Sequence, residues 1–574
     1  MKKILALLFL ALISVLMVSC SSGVQNDPTT SGVPTANIGD SKTPSLGYYT
    51  VTIDPDTMTA SVAENRELDY HMNIEGYLLG WPCGNCLKIK NLVLQSGTAE
   101  CDIEITHPVT MLVYTVFDLR VIAMFAASEY FGPIGVSYAL SNRDGLTNVW
   151  DNPTISGQLN GYKAYNKGDA RRTFLPSSVS TEHFSVVLPP GGLRFDIGVD
   201  ACWMPNDGIN FPPEMNSFEV INLDASIATG LNEDGGSAQL TVTMYDYQGT
   251  STIASVKAYS SSLFNAPYSL SYISGDGHNA TYQAAVSNQK HAPAGYYNIL
   301  VAAEDAQNVN YTYVVSSYDV INVFVEPVLH AVVITLAEDD AATTPGNYYD
   351  MQTYSGAAGS GVINYLDTDG PWDFTTLPYT TVGRREAFNP SDPEVAGFVG
   401  SFPSATRFVR SVSAGMGEAY QAVDHNYSNN KLMLYGMYES STLGGAVVFT
   451  GTPNGFQYPY NTSTNFTMSF SATVQGTSGT ATWKTKAVGH GIAKIPLNGG
   501  TYKSALLMRT TIDIKILFIS IAKFLLYEWY DDDGNLLGMA GAANITGETA
   551  NYNETTFEIT GTGAIGGLND YYRQ

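Results

Sequence analysis

Period-two alternation constrains this chain more than any other feature of its sequence. In CDIEI (101–105) and LRFDIGV (193–199), apolar and polar residues take turns, as they do along half-buried β-strands. Pro- and Gly-rich pieces such as LPPGG (188–192) separate the runs and read as turns. No long helical pattern competes with them over residues 46–222. The composition agrees: Tyr alone counts 37, Gly 54, and charged residues make up only 14%. Strands favour aromatic and β-branched residues, and turns favour Gly and Asn. The expected fold class is mainly β. At 574 residues the chain is long enough for several β-sandwich-like domains in tandem.

The N-terminus predicts the compartment. MKKILALLFLALISVLMVSC opens with Lys2 and Lys3, runs through an apolar core, and ends in small residues before Cys20. That pattern is a secretory signal, too short for an ordinary membrane span. Met17-Val18-Ser19-Cys20 resembles the bacterial lipobox, with Met17 where Leu is commoner. The resemblance implies cleavage before Cys20 and acylation of that residue, a palmitate-type anchor. Residues 20–45, rich in Gly, Ser, Thr and Pro, suit a flexible tether. Several acyl chains suffice for stable anchoring. Ser21 favours the outer membrane, with the chain facing the periplasm or the cell surface. KILFISIAKFLLYEWY (515–530) is interrupted by Lys523 and Glu528. Its uncharged runs fall short of the ~18–20 residues of a spanning helix, so it reads as two strands.

Three regions follow the tether. Residues 46–222 form a cysteine-containing β-domain. NIEGYL, PCGNCLKI, ITHP, FDLR, DGLTNVWDNP, RRTFLP and LPPGGLRFDIGVDACWMP resemble, in order and spacing, a group of multidomain bacterial surface lipoproteins. In residues 223–326, SAQLTVTMYDYQGTSTIASVKAY reads as two strands around a turn at Asp246–Gly249. AGYYNILVAAED (294–305) resembles a late strand of immunoglobulin-like or PKD-like modules, which implies a β-sandwich acting as spacer or interaction module. In residues 327–574, GPWDFTTLPY (370–379) and AVGHGIAKIPLNGGTYKSALLMRTT (487–511) resemble a C-terminal module of secreted proteins from Bacteroidetes-like bacteria. That likeness implies a hairpin turning at Asn498-Gly499-Gly500 and carries no activity with it. YEWYDDDGNLLGMAG reads as a further hairpin with Asp533-Gly534 in its turn.

Beyond Cys20 there are four cysteines, Cys83, Cys86, Cys101 and Cys202, all in one region. An even count in an oxidising compartment reads as disulfides. The favoured pairing is Cys83–Cys86 as a local clip and Cys101–Cys202 between strands; the other connectivities stay open. A thioredoxin-like role needs a helix after CxxC, and LKIKNLVLQSG alternates like a strand. A four-cysteine zinc site wants two close pairs, which Cys101 and Cys202 do not supply.

No catalytic constellation, metal site or cofactor is expected. The eight histidines show no HxH or HxxxH spacing, no GxSxG marks a nucleophile, and His107 and His490 read as turn residues. DTDGPWD (367–373) and YDDDGN (530–535) recur in Asp like calcium loops but lack the closing Glu of an EF-hand. Asp-Gly turns account for both, with weak calcium binding as the alternative. FQYPYNTSTNF (456–466) offers flat rings that suit a sugar surface. The formal charge is −25, and becomes −27 once Lys2 and Lys3 are removed, which disfavours nucleic acid and anionic lipid as partners. The expected role is non-catalytic: surface display, adhesion or scaffolding, with another envelope protein or a glycan as partner. A polysaccharide-binding protein or polysaccharide-active enzyme is the alternative.

Overall fold

The computed structural model describes residues 35–36 and 45–572, with interruptions at 65–77, 80–82, 96, 111–114, 149, 152–157, 170–171, 188–192, 203–212, 224–229, 248, 306–315, 359–368, 377–380, 414–416, 440–444, 451–453, 475, 496–499, 517–518, 546–550 and 553–558. The signal segment, Cys20 and the Asn498-Gly499 turn lie outside the described residues. Within the tether, Thr35–Ala36 pairs antiparallel with Trp150–Asp151. Strands dominate throughout, as the alternation predicts. The chain divides into two compact units: residues up to 223 with 238–290 and 297–323, and residues 224–237 with 291–296 and 324–574.

The first unit opens with the hairpin Ser45–Asp54 and Thr59–Glu64. Asp54 closes its turn by accepting the Asp56 and Thr57 amides at 2.8 and 3.3 Å. This hairpin continues through Leu193–Cys202, Phe117–Met124 and Asn160–Ala164 as one layer. Leu87–Gln95, Thr98–Thr106 and Val179–Val187 form a separate three-stranded layer. Along Thr98–Thr106, buried and half-buried residues alternate without a break. That places Cys101, Ile103 and Ile105 inward, against Val51, Leu119, Val121 and Ile197 of the other layer. The result is a β-sandwich whose inner faces share one apolar core. Tyr165 crosses it to donate its hydroxyl to the Ile103 carbonyl at 2.9 Å.

The larger layer runs on into a thirteen-stranded sheet that includes Glu214–Asn222 through Ser316–Val325. Leu146 of Gly145–Thr147, opposite Tyr318, makes the link. Ser237–Tyr245 and Ile253–Tyr259 flank the expected turn but do not pair with each other. The first pairs with Glu214–Asn222, the second with Tyr268–Gly275 and Gly295–Asp305. Asp246, fully buried, accepts the Gly249 amide at 3.1 Å and so shapes the turn between them.

The second unit holds a fifteen-stranded sheet. Three short strands, Trp372–Asp373, Asn454–Gln457 and Asn551–Tyr552, hang from it. The others run antiparallel from Tyr348–Ala358 to Ile559–Tyr572, and this last strand pairs back onto the first. A closed sheet has no open edge to aggregate. Inside lie Val409, Val423, Met468, Phe470, Trp483 and Ile512. Outside, Thr467, Ser469 and Ser471 of Asn465–Val474 and Lys484 and Lys486 of Thr477–Ile495 are exposed. That stretch of wall therefore faces water. KILFISIAKFLLYEWY contributes to two paired strands, Thr501–Ile516 and Ile519–Tyr530, as its charges predict. Among the described residues no helix is long and apolar enough to cross a membrane.

Candidate functional site

The two motif stretches of the C-terminal region meet in space. Trp372–Asp373 of GPWDF pairs in parallel with Ala493 and Lys494 of GHGIAK. Trp372 and Phe374 then pack edge-on against Trp529, with ring centroids 6.0 and 5.1 Å apart. The glycine in this pairing has a physical reason. A Cβ on Gly491 would stand 1.8 Å from the carbonyl oxygen of Asp369, so only glycine lets the two backbones approach. His490, expected in a turn, instead lies within the strand Thr477–Ile495, just past a bulge between Ala487 and Gly489. Its amide donates to Asp369 Oδ1 at 3.1 Å, and its Nε2 lies 2.9 Å from the His330 carbonyl, which fixes the ring proton there.

Bulges bend a strand and re-aim its side chains. Here the bulge floors a cleft of about 360 Å³, lined by Lys486, Val488, His490 and Arg509, with Asp369 and Thr462 at its sides. Lys486 and Arg509 stand directly opposite each other on paired strands. Among the described residues Lys486 has no acidic partner. Sequence reading marked both motifs, the second of which runs through Arg509, but missed Lys486, which stands one residue before it; only the strand register joins the two.

A second polar cluster lies in the first unit. Arg120 pairs with Asp118 and stacks over the Tyr162 ring at 4.8 Å. Arg172 donates to Asp118 Oδ1 at 2.7 Å and pairs with Glu214. Asp118 and Arg172 both hold left-handed backbone, with φ of 51° and 48°. Asp200 faces Arg120 across paired strands. Burial pushes its carboxyl up to about 7, with Arg120 opposing and Asp118 reinforcing the shift. A neighbouring cavity of about 300 Å³ includes Asp144, Lys167, Arg172 and Asp319. Its cations are already spent on acids, Lys167 on Asp144 at 3.0 Å and Glu182 at 3.1 Å.

Cys83 and Cys86 are bonded, with Cα atoms 5.6 Å apart. The residue after Cys86 opens the strand Leu87–Gln95, so no helix dipole activates the pair. The expected Cys101–Cys202 bridge is not formed. Cys101 is a free thiol, 1% exposed, in the sandwich core. The alternation that makes its strand also points it inward, among Ile103 and Phe184. Burial pushes the thiol up to about 11, with Asp102 adding to the effect. Cys202 ends the strand Leu193–Cys202, opposite Phe117; its side chain lies outside the described residues.

The other expectations resolve as local structure. His107 is buried, turns its Nδ1 to accept the Val109 amide at 3.1 Å, and packs against Phe174. Asp531 accepts the Asn535 amide at 2.8 Å and the Asp533 amide at 3.1 Å in the turn that ends with Gly534 at φ 76°. Asp531, Asp532 and Asp533 come close enough to share an ion, but Asp531 is occupied by that turn. Asp373 accepts the Thr375 amide at 2.9 Å, and residues 367–368 lie outside the described set. Tyr458 and Tyr460, proposed to face sugar, are instead buried and stacked 4.3 Å apart in the core.

One cluster escaped sequence reading altogether. The helix Leu336–Ala342 starts at a capping box, in which Thr335 and Glu338 satisfy each other's amides. His425 Nε2 lies 2.8 Å from Asp339, and Arg407 and Tyr427 both hold Asp340. Burial opposes ionisation of Asp340, but the Tyr427 hydroxyl and the Arg407 charge outweigh it and keep the carboxyl below its ordinary range. The His–Asp contact pins the helix to the sheet wall. The signal was Thr-Leu-Ala-Glu at 335–338, a capping box in the sequence.

No protein-family model matches this chain, and no curated protein matches it in sequence.

Proposed function

We propose that the chain is a lipid-anchored cell-envelope protein, held through Cys20, whose β-units serve display, adhesion or scaffolding without catalysis. The lipobox-like N-terminus and polar tether support the anchor. The observation that carries the non-catalytic reading is how the buried charges are used. Arg120, Arg172, Asp118, Asp339 and His425 are all engaged in holding one element to another. A nucleophile with a free base and an orienting group is the arrangement catalysis requires. Purified full-length protein should leave a broad panel of polysaccharides and peptides intact; measured hydrolysis would sink this reading. Protease added to intact cells should cut the chain while a periplasmic control is spared if it is displayed outside.

Glycan binding is the second reading, favoured by two features. The cleft beside Gly491 is open and polar. Tyr296, 73% exposed, continues into Phe324 and Tyr502 at centroid spacings of 4.9 and 5.8 Å, with Lys494 over the last ring. Rings with polar tips in water suit sugar faces.

A further inference from the structure

We propose that Tyr296, Phe324 and Tyr502 form a stacking platform for a single chain of neutral hexopyranose sugars. The proposal rests on the glycan reading and names its ligand class. Three strands supply the rings. Tyr296 stands near the start of Gly295–Asp305, Phe324 near the end of Ser316–Val325, and Tyr502 near the start of Thr501–Ile516. Tyr296, at 73%, is the most exposed large apolar side chain among the described residues. Phe324 and Tyr502 are half-buried. A single exposed ring needs no explanation, but a row of three in contact marks a binding surface.

Neighbouring residues hold the row in place. Phe324 touches both other rings, at centroid distances of 4.9 and 5.8 Å. It props Tyr296 outward, and a tyrosine has few torsions to freeze when a ligand arrives. The Lys494 ammonium lies 5.5 Å from the centre of the Tyr502 ring. Gly500 makes room for that lysine. A Cβ there would stand 2.7 Å from Lys494 Cε, and its backbone φ is 125°.

The chemistry of the row selects the ligand. A pyranose presents C–H groups on its face, whose slight positive charge suits the negative face of an aromatic ring. Its hydroxyls project from the rim, where the Tyr296 and Tyr502 hydroxyls and the Lys494 ammonium offer hydrogen bonds. A formal charge of −25 turns acidic chains away and leaves neutral ones unaffected. The rings are tilted by 52° and 70° from one to the next. A flat crystalline surface would need coplanar rings, so the row suits one soluble, twisting chain. A peptide added as a strand fits less well. Thr501–Ile516 is paired on both sides, and Gly295–Asp305 lies between Ile253–Tyr259 and Ser316–Val325.

The test is calorimetric titration of the full-length protein, in a detergent without a sugar head, with laminarihexaose, maltohexaose and trigalacturonate. Pull-down on crystalline cellulose runs beside it. The expected result is saturable binding of at least one neutral hexaose, little changed by salt, with none to trigalacturonate or cellulose. Tyr296→Ala should weaken that binding roughly tenfold, and Tyr296→Phe should keep most of it. Tyr296 is exposed, so an unchanged melting curve will show that the variant folds. Tyr272→Ala, which removes another exposed ring, should change nothing. Binding untouched by Tyr296→Ala, or trigalacturonate bound in place of the neutral chains, overturns the platform and leaves the glycan reading standing. Retention on cellulose overturns the single-chain ligand. No binding of any of the three saccharides overturns both readings. Self-association lost in Tyr296→Ala, read by sedimentation, would assign the row to a second copy of the chain and overturn the proposal.

Discussion

The two units stabilise themselves by different means. The first buries charge: Arg120, Asp118, Lys163 and Asp200 are each less than 10% exposed. The second buries rings: Trp372, Trp483 and Trp529 are among the largest fully enclosed side chains of the described chain. Its phenyl and phenol groups join them, as where Phe398 stacks on Tyr438 at 4.1 Å and meets Phe408 edge-on. Aromatic packing gains from area and from ring geometry. Buried ion pairs gain little net stability, because desolvation offsets the attraction, yet breaking one leaves an expensive orphan. The first unit should therefore be brittle toward loss of one charge and tolerant of losing all of them together. The second should respond to lost volume.

The largest effects test that contrast directly. Arg120→Met leaves Asp200 beside Asp118 with only Arg172 to compensate, and should cost about 3–5 kcal/mol. Replacing Asp118, Arg120 and Asp200 together with apolar residues should recover most of that loss. In the second unit, Trp483→Ala should cost about 3–5 kcal/mol through its cavity, with no rescue by removing charge. Hydrogen exchange read separately on peptides of each unit supplies the measurement. A neutral Arg120→Met would show that the network contributes nothing to holding the sandwich.

The next effect separates the units by pH. The Asp200 carboxyl titrates near 7 in the fold and near its ordinary acidic value when unfolded. Between those values the native state binds the extra proton. Stability from this group is thus present at low pH and is lost as pH rises through about 7. The loss should be about 2–4 kcal/mol. Asp200→Asn cannot ionise, so the first unit of that variant should show a flatter profile between about pH 4.5 and pH 8. Identical profiles for the two proteins would exclude Asp200 as the source.

Smaller still is Gly491→Ala. The added carbon meets backbone, not a flexible side chain, and overpacking of this kind costs about 1–3 kcal/mol. The loss should be confined to the second unit and should loosen Trp372 from Trp529, visible as a red shift in tryptophan emission. Unchanged emission would mean that GPWDF does not depend on that glycine.

How much of this was legible follows from which forces act locally. Alternation in CDIEI and LRFDIGV gave the strands and their inward faces, because side-chain direction along a strand has period two. The charges of KILFISIAKFLLYEWY gave two strands in place of a span. Partners were another matter. Ser237–Tyr245 and Ile253–Tyr259 look like a hairpin in sequence, yet long-range register sends them to different neighbours. Cys101 looked like half of a bridge, because a count of cysteines says nothing about which core a thiol faces. The cleft was the least legible: Asp369 and Arg509 fall within stretches that the sequence singles out, but nothing local joins them to each other or to Lys486 until a bulge and a glycine contact bring them together.

The smallest effect concerns the cysteines, and it checks the sandwich core itself. The Cys83–Cys86 loop is so short that closing it removes little unfolded-chain entropy, about 2 kcal/mol at most. The backbone is also held without it, since the Cys86 amide donates to Leu78 at 2.7 Å and its carbonyl accepts from Thr106 at 2.8 Å. Substituting both residues with serine should therefore lower the stability of the first unit only modestly, with Cys86, the buried partner, accounting for most of the loss. Cys101 should stay unmodified by iodoacetamide in the native double variant, because its thiol is enclosed and held protonated up to about pH 11. It should react only as the core opens. Rapid labelling in the native state would place Cys101 at the surface and overturn the inward face of Thr98–Thr106. A Cys101–Cys202 cross-link found by mass spectrometry would do the same for the free thiol.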